Sequence, residues 1–116
     1  MGSLRYAVRG TSPILIDDRT LAHLQIVIGT KLRLQQAFFF SWIDDVHSGG
    51  GRTSIWIDTR MQLSLSYDTD QRSSINRVWL EALMLSANSP QGLLLIAEPN
   101  TLHLADKTDP PDVIAA

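Results

Sequence analysis

The stretch AFFFSWI, at residues 37–43, decides how this chain folds. Aromatic and β-branched residues favour extended backbone, so we predict a short buried β-strand here. Successive side chains of a strand point to opposite faces, and the three consecutive phenylalanines therefore cannot share one core. One face lies in the core, and the other must be covered by a helix, by the C-terminal tail or by a second subunit. This requirement is the main physical argument for self-association.

Two further strands are predicted after this one, TSIWID at residues 53–58 and MQLSLSYD at residues 61–68. In the second, apolar and polar residues alternate, which is typical of a half-buried antiparallel strand with one face in water. The connections DDVHSGGG (residues 44–51) and TR (residues 59–60) are short. We therefore predict that the three strands form an antiparallel meander.

The three glycines at residues 49–51 invite comparison with a phosphate-binding loop. A Walker loop carries a Gly-Lys-Ser/Thr run that opens a helix, because the amides at the helix start hold the phosphates. Here Arg52 stands where the lysine would be, and a strand follows. We interpret the run as a hairpin connection.

Two helices complete the predicted fold. The first covers residues 17–34, with Asp17 or Asp18 as its N-cap and Gly29 as a candidate close packing contact. The second covers residues 73–88, with Ser73 or Ser74 as its N-cap.

The remaining strands are predicted at both ends of the chain. Residues 4–8 and 14–16 form a hairpin around the turn RGTSP, and residues 93–99 form a last buried strand. We expect one α+β domain over residues 1–99, in the order ββαβββαβ. Its two helices pack on one face of a mainly antiparallel sheet. We expect residues 100–116, which contain KTDPPD, to be a flexible tail.

Composition excludes several classes of protein. The chain has 116 residues, a net charge of −2 and no cysteine. The whole molecule is therefore not a basic nucleic-acid binder, and it has no disulfide and no thiolate zinc site. No apolar leader or bilayer-spanning run is visible, so we expect a cytoplasmic protein with no membrane partner.

The acidic and histidine residues do not predict a catalytic or metal centre. Adjacent aspartates at residues 17–18 and 44–45 are more typical of caps and solvated loops than of converging ligands. His23, His47 and His103 lack metal-binding spacing. We predict no metal, no cofactor and no catalytic residue, and we expect His23 to be a partly buried helix residue.

Basic and aromatic residues are the best candidates for a working surface. If they converge, they form a small cationic patch with aromatic neighbours, which suits phosphate backbones or stacked bases. The predicted binding residues are Lys31, Arg33, Arg52, Arg77, Trp42 and Trp56.

Several motifs together resemble a small actinobacterial family of unknown function. The resemblance extends over nearly all of the chain up to Pro99. The motifs are the Met-Gly-x-Leu-x-Tyr start, DDRTLAHL at residues 17–24, KLR at residues 31–33, FSW at residues 40–42, GRTSIW at residues 51–56, NRVWLEAL at residues 76–83 and ANS at residues 87–89. The resemblance implies a domain whose members often carry the label ATP-dependent DNA ligase in genomes.

A ligase of that class needs a nucleophilic lysine in a Lys-x-Asp-Gly motif, and neither lysine here fits. Lys31 is followed by Leu-Arg-Leu and Lys107 by Thr-Asp-Pro. We therefore predict a non-catalytic binding domain that forms a homodimer. Two alternatives stay open. One is a nucleic-acid-binding accessory protein linked to DNA repair or ligation, and the other is a small enzyme or small-molecule-binding protein that uses His23.

Overall fold

The chain alternates between strands and helices in the order ββαβββαβ, which confirms the predicted α+β class and element order. The computed structural model describes residues 1–6, 13–44 and 49–99. The elements are β1 (Gly2–Tyr6), β2 (Ile14–Ile16), α1 (Asp18–Arg33), β3 (Phe38–Ile43), β4 (Arg52–Ile57), β5 (Leu63–Ser66), α2 (Arg77–Ala87) and β6 (Leu93–Leu94).

The strands form two separate sheets of three strands each. The first sheet has the order β2-β1-β5 and is antiparallel. The second has the order β4-β3-β6, in which β3 pairs antiparallel with β4 and parallel with β6. The predicted meander of β3, β4 and β5 is therefore wrong, because β5 belongs to the other sheet.

The connection after β4 leads the chain from the second sheet to the first. Asp58 organises a turn, since its side chain accepts from the Arg60 N–H and its carbonyl accepts from the Met61 N–H. The five residues 58–62 are longer than the two-residue loop of a tight hairpin. The chain then pairs β5 with β1, where Leu65 lies opposite Leu4. This pairing gives β1 a second neighbour in the sheet.

Because the strands form two sheets, each helix packs against a different one. Helix α1 contacts β1, helix α2 contacts β3 and β6, and the helices contact each other. One continuous core results, and its largest fully buried side chains come from both sheets and both helices: Trp79, Phe40, Leu4, Leu21, Leu24, Ile57, Leu83, Leu93, Leu95, His23 and Val27.

The predicted N-cap is confirmed for α1 but not for α2. Asp17 caps α1 by accepting from the Thr20 N–H at 3.1 Å, as predicted. Asn76 caps α2, and its side-chain oxygen accepts from the N–H groups of Val78 and Trp79. The serine caps predicted for α2 are therefore wrong. A Cβ built on Gly29 meets nothing within 4 Å, so the expected close contact is absent there.

Some predictions concern residues outside the described ranges. They are the RGTSP turn before Pro13, the loop residues Asp45 and His47, His103 and the tail at residues 100–116. Within the described ranges, no helix is both long and apolar enough to cross a membrane.

Candidate functional site

The outer face of the second sheet is the candidate site. We define the outer face by six residues that alternate along β3 and β4 and lie opposite each other in pairs: Phe39 with Trp56, Ser41 with Ser54 and Ile43 with Arg52. The intervening residues of β3, Phe38, Phe40 and Trp42, are buried in the core. The alternation of a strand thus separates a core face from an outer face, whose residues are exposed except for Ser41, which is 4% exposed.

An aromatic pair dominates one end of the outer face. The ring centroids of Phe39 and Trp56 lie 5.0 Å apart at an interplanar angle of 69°. Phe39 is 46% exposed and Trp56 is 51% exposed, whereas Phe40 is fully buried. Two large rings that are packed together yet half in water are typical of a binding surface.

The middle of the outer face is polar. The hydroxyl oxygens of Ser41 and Ser54 lie 2.6 Å apart, within hydrogen-bonding distance. A shallow groove of about 340 Å³ runs over this pair. It is lined by Phe39, Ser41, Arg52, Ser54, Pro90, Gln91 and Leu94. The groove gives the outer face hydroxyl groups and one cation beside its aromatic end.

Within the part of the chain that the structure describes, no strand pairs with the outer edge of β4, which we call its free edge. The Asp44 N–H donates to the Gly51 carbonyl at 2.6 Å, which makes these two residues a hydrogen-bonded pair. Hydrogen-bonded and non-bonded pairs alternate along an antiparallel ladder. The N–H and C=O groups of Arg52, Ser54 and Trp56 therefore point away from β3. Among the described strands, β4 has a neighbour on the β3 side only.

Of the predicted site residues, Arg52 and Trp56 share the outer face, and the other four lie elsewhere. Trp42 is buried against Phe40, with 5.4 Å between ring centroids. Lys31 is also buried, at 6% exposure. Its Nζ donates to side-chain oxygens of Gln36 and Asn88, both at 2.8 Å, and so joins the ends of α1 and α2.

The remaining two predicted residues lie on the helices. Arg33 is exposed in the last turn of α1, where a cation is favourable to the helix dipole. Arg77 is exposed at the first position of α2, where a cation is not favoured. Sequence reasoning did not name Phe39, although the alternation in FFFSWI placed its ring on the face opposite Phe40.

His23 is fully buried and has a structural position. Its Nδ1 lies 2.8 Å from the Arg19 carbonyl, and its Nε2 accepts from the Asn76 N–H at 2.9 Å. Nε2 is therefore the unprotonated nitrogen, and Nδ1–H donates. The ring also packs on Trp79, with centroids 4.4 Å apart. Nδ1 thus bonds within α1 and Nε2 joins α1 to the start of α2, so both nitrogens already have partners within the fold.

The groups around His23 form what we call the clasp, made of Arg19, His23, Asn76 and Glu98. Arg19 donates two hydrogen bonds to the Glu98 carboxylate, at 2.8 and 2.7 Å. Asn76 Nδ2 donates to the same carboxylate at 2.9 Å. The Arg19 hydrogen bond is the main cause that lowers the pKa of Glu98 to about 2. The clasp ties both helix starts to the segment after β6.

Away from the outer face and the clasp, the described residues form a further cavity but no metal-binding cluster. A cavity of about 550 Å³ lies between α1 and residues 67–75, where the Tyr67 hydroxyl donates to Gln25 Oε1 at 2.6 Å. None of the six predicted site residues lines it. Over the residues that the structure describes, no group of three or more His, Cys, Asp or Glu side chains is arranged to hold a metal ion.

Comparison with known proteins gives one match. The family model described as Domain of unknown function (DUF7882) matches residues 1–98. No curated protein and no solved structure matches the chain. The matched segment contains both sheets, both helices, the outer face and the clasp. The chain therefore belongs to the family described as Domain of unknown function (DUF7882).

Proposed function

We propose that this protein is a non-catalytic binding domain that self-associates through the second sheet. The observation that carries the proposal is the half-exposed pair of Phe39 and Trp56 beside the free edge of β4. Unpaired N–H and C=O groups along an edge strand are a template for another strand. An adjacent aromatic pair adds apolar surface that gains from burial.

The sequence of β4 supports self-association because it lacks the features that protect edges. Monomeric proteins block edge strands with proline, with bulges or with charged residues in the strand. The strand RTSIWI contains no proline, and its single charge, Arg52, lies at its first position. It pairs with β3 residue by residue without a bulge. Over the described residues, neither another strand nor a protective feature of the β4 sequence blocks this edge.

The clasp supports a non-catalytic domain. A general acid or base must reach the proton that it transfers. His23 is buried with both ring nitrogens hydrogen-bonded, and Glu98 is held as an ion by Arg19. Both groups act on the fold instead of on a bound molecule.

Sedimentation velocity tests the proposal. We expect the native chain to sediment at twice its chain mass of 12.9 kDa at micromolar concentration. Trp56→Ala shifts it toward the single-chain mass, because the exposed ring is lost from the interface. The matched control is Leu15→Ala, which removes an exposed apolar side chain from β2 in the other sheet. Single-chain mass for the native protein at every concentration contradicts self-association.

A second candidate function, binding of single-stranded nucleic acid, is favoured by one observation. Phe39 and Trp56 offer ring faces for bases, and Arg52 lies on the same outer face. It has less support, because three of the four predicted cations lie off this face and the net charge is −2.

Fluorescence anisotropy with labelled single-stranded, duplex and nicked DNA separates the two functions. Binding that weakens steeply with salt and is lost in Trp56→Ala favours nucleic acid and a link to repair or ligation. No binding at low salt, together with a dimer mass, favours the self-associating domain.

A further inference from the structure

We infer that two copies pair through antiparallel β4 strands in one register, with Ser54 opposite the partner's Ser54 and Arg52 opposite the partner's Trp56. The inference rests on the proposed self-association and names its interface. It follows from the direction of the backbone groups, from the length of the strand and from the chemistry of three alternating residues.

The backbone restricts the pairing first. Two identical strands related by a twofold axis run antiparallel and present the same patch to each other. Only residues whose N–H and C=O groups point at the partner can exchange hydrogen bonds. On β4 these residues are Arg52, Ser54 and Trp56, as the pairing of Asp44 with Gly51 establishes. The partner strand must therefore match these positions with its own.

The length of β4 then favours one position for the twofold axis along the strand. A twofold axis at Ser54 pairs residues 52–56 with the same residues of the partner, because Arg52 and Trp56 lie at equal distances on either side. An axis at Thr53 or Ile55 would instead put Trp56 or Arg52 opposite a residue outside β4. An axis at Arg52 would leave half of the strand unpaired and would place two guanidinium groups opposite each other. An axis at Trp56 would leave Arg52 outside the paired region. The axis at Ser54 gives the most hydrogen bonds and no like-charge contact.

The side chains fit this register as well. Arg52, Ser54 and Trp56 all lie on the outer face. In each protomer, one side of the Trp56 ring packs against Phe39. In the inferred dimer, the partner's Arg52 lies against the other side of Trp56, where a guanidinium gains a cation–π contact. The twofold axis repeats this contact, so each dimer contains it twice.

The register also arranges the neighbouring residues in continuous rows across the interface. Phe39, Trp56 and the partner's Arg52 form one row, and the symmetry-related residues form another. Between them, Ser54, whose hydroxyl lies 2.6 Å from that of Ser41 on its other side, faces the partner's Ser54. The second sheet of one protomer and the second sheet of its partner join into one sheet of six strands. The aromatic end of the outer face in one protomer thereby lies beside the cationic end of the outer face in the other.

Disulfide trapping tests the register directly, since the chain has no cysteine and one substitution reports one contact. In a hydrogen-bonded antiparallel pair the Cα atoms are about 5.5 Å apart, which suits a disulfide. A register shifted by two residues moves them out of range, by about 7 Å along the strand. Ser54→Cys is the test variant. The matched control is Ser64→Cys, which makes the same change at an exposed position of β5.

Under mild oxidation at a concentration where the native chain is dimeric, we expect Ser54→Cys to form a covalent dimer on a non-reducing gel. We expect Ser64→Cys to stay mainly as single chains. If both variants cross-link at the same rate while the native chain sediments as a dimer, the register is wrong and the self-association stands. If the native chain sediments as single chains, the inference and the proposed function both fail.

Discussion

Phe39 and Trp56 lie directly opposite each other on β3 and β4, with their ring centroids 5.0 Å apart and nearly perpendicular. They occupy a non-hydrogen-bonded pair of the ladder, where opposing side chains approach most closely. Edge-to-face pairs of this kind contribute about 0.5–1.5 kcal/mol beyond the area that they bury. The pair therefore holds both rings in place before any partner arrives, which limits the entropy lost on binding.

Charge reversal at Arg52 should weaken the dimer. In the inferred dimer, Arg52→Glu replaces the cation that faces the partner's Trp56 with a carboxylate that the ring repels, and this contact would occur twice. Each cation–π contact is worth about 0.5–2 kcal/mol, so we expect the dissociation constant to rise about tenfold or more. Sedimentation equilibrium measures it. Arg33→Glu, at the exposed end of α1, makes the same charge change away from the interface. An equal rise in both variants would indicate a general charge effect and would contradict the contact.

Alanine at Gly92 should destabilise the fold, whereas alanine at Gly29 should not. Gly92 has φ +84°, and a Cβ there collides with the Phe39 carbonyl. We expect a loss of at least about 2 kcal/mol from positive φ and this collision. Gly29 lies inside α1 with open space around it, so Gly29→Ala should gain about 0.5–1 kcal/mol. Urea unfolding monitored by circular dichroism measures both. A stability of Gly92→Ala equal to that of the native chain would contradict the close approach.

Removing the His23 ring nitrogens should destabilise the monomer. His23→Leu puts an apolar side chain of similar size in place of the ring and leaves the Asn76 N–H without its acceptor. An unpaired buried donor costs about 1–3 kcal/mol, and we expect that loss in the free energy of unfolding. Arg33→Gln, at an exposed position in the last turn of the same helix, is the control. If His23→Leu were as stable as the native chain, the clasp would not be needed for joining the helices.

The clasp should make stability depend on acid pH. The pKa of Glu98 falls from 4.5 to about 2 on folding, so the folded state binds fewer protons. This contribution is complete above about pH 4.5 and is lost as the pH falls toward about 2. Glu98→Gln should therefore lower the Tm most at neutral pH, and the two Tm curves should converge near pH 2. Glu81→Gln, on the exposed surface of α2, is the control. A Tm difference that stays constant with pH would contradict the ionised clasp.

Local patterns predicted the elements better than their pairing. The period of apolar residues and the capping aspartate gave α1 to within a residue or two, because these signals act within one turn. The pairing of β5 with β1 brings together residues about sixty positions apart. Alternation in β5 predicts its two faces but does not identify its neighbour. Asn76 caps α2 because it also meets His23 and Glu98, and these contacts exist only in the folded chain.

The residues of the candidate site could be predicted only in part from the sequence, for a similar reason. Arg52 and Trp56 were named for their chemistry, and so were Lys31 and Trp42, which are buried. The alternation of side chains along a strand places Trp42 and Trp56 on opposite faces of the sheet, but this can be seen only once the register of β3 and β4 is known. The burial of Lys31 depends on the amide oxygens of Gln36 and Asn88, and Asn88 comes from the other helix. Residue type thus identified the candidates, and the tertiary contacts decided which of them a partner can reach.

Amide hydrogen exchange of the native chain tests the edge pairing most directly. In a single chain, the N–H groups of Thr53, Ile55 and Ile57 bond to β3, whereas those of Ser54 and Trp56 point away from β3 and have no partner strand among the described residues. We predict that raising the protein concentration protects Ser54 and Trp56, because their N–H groups then bond to the partner strand. If Ser54 and Trp56 exchange as fast as loop residues at a concentration where the protein is dimeric, β4 is not the interface and the account is wrong.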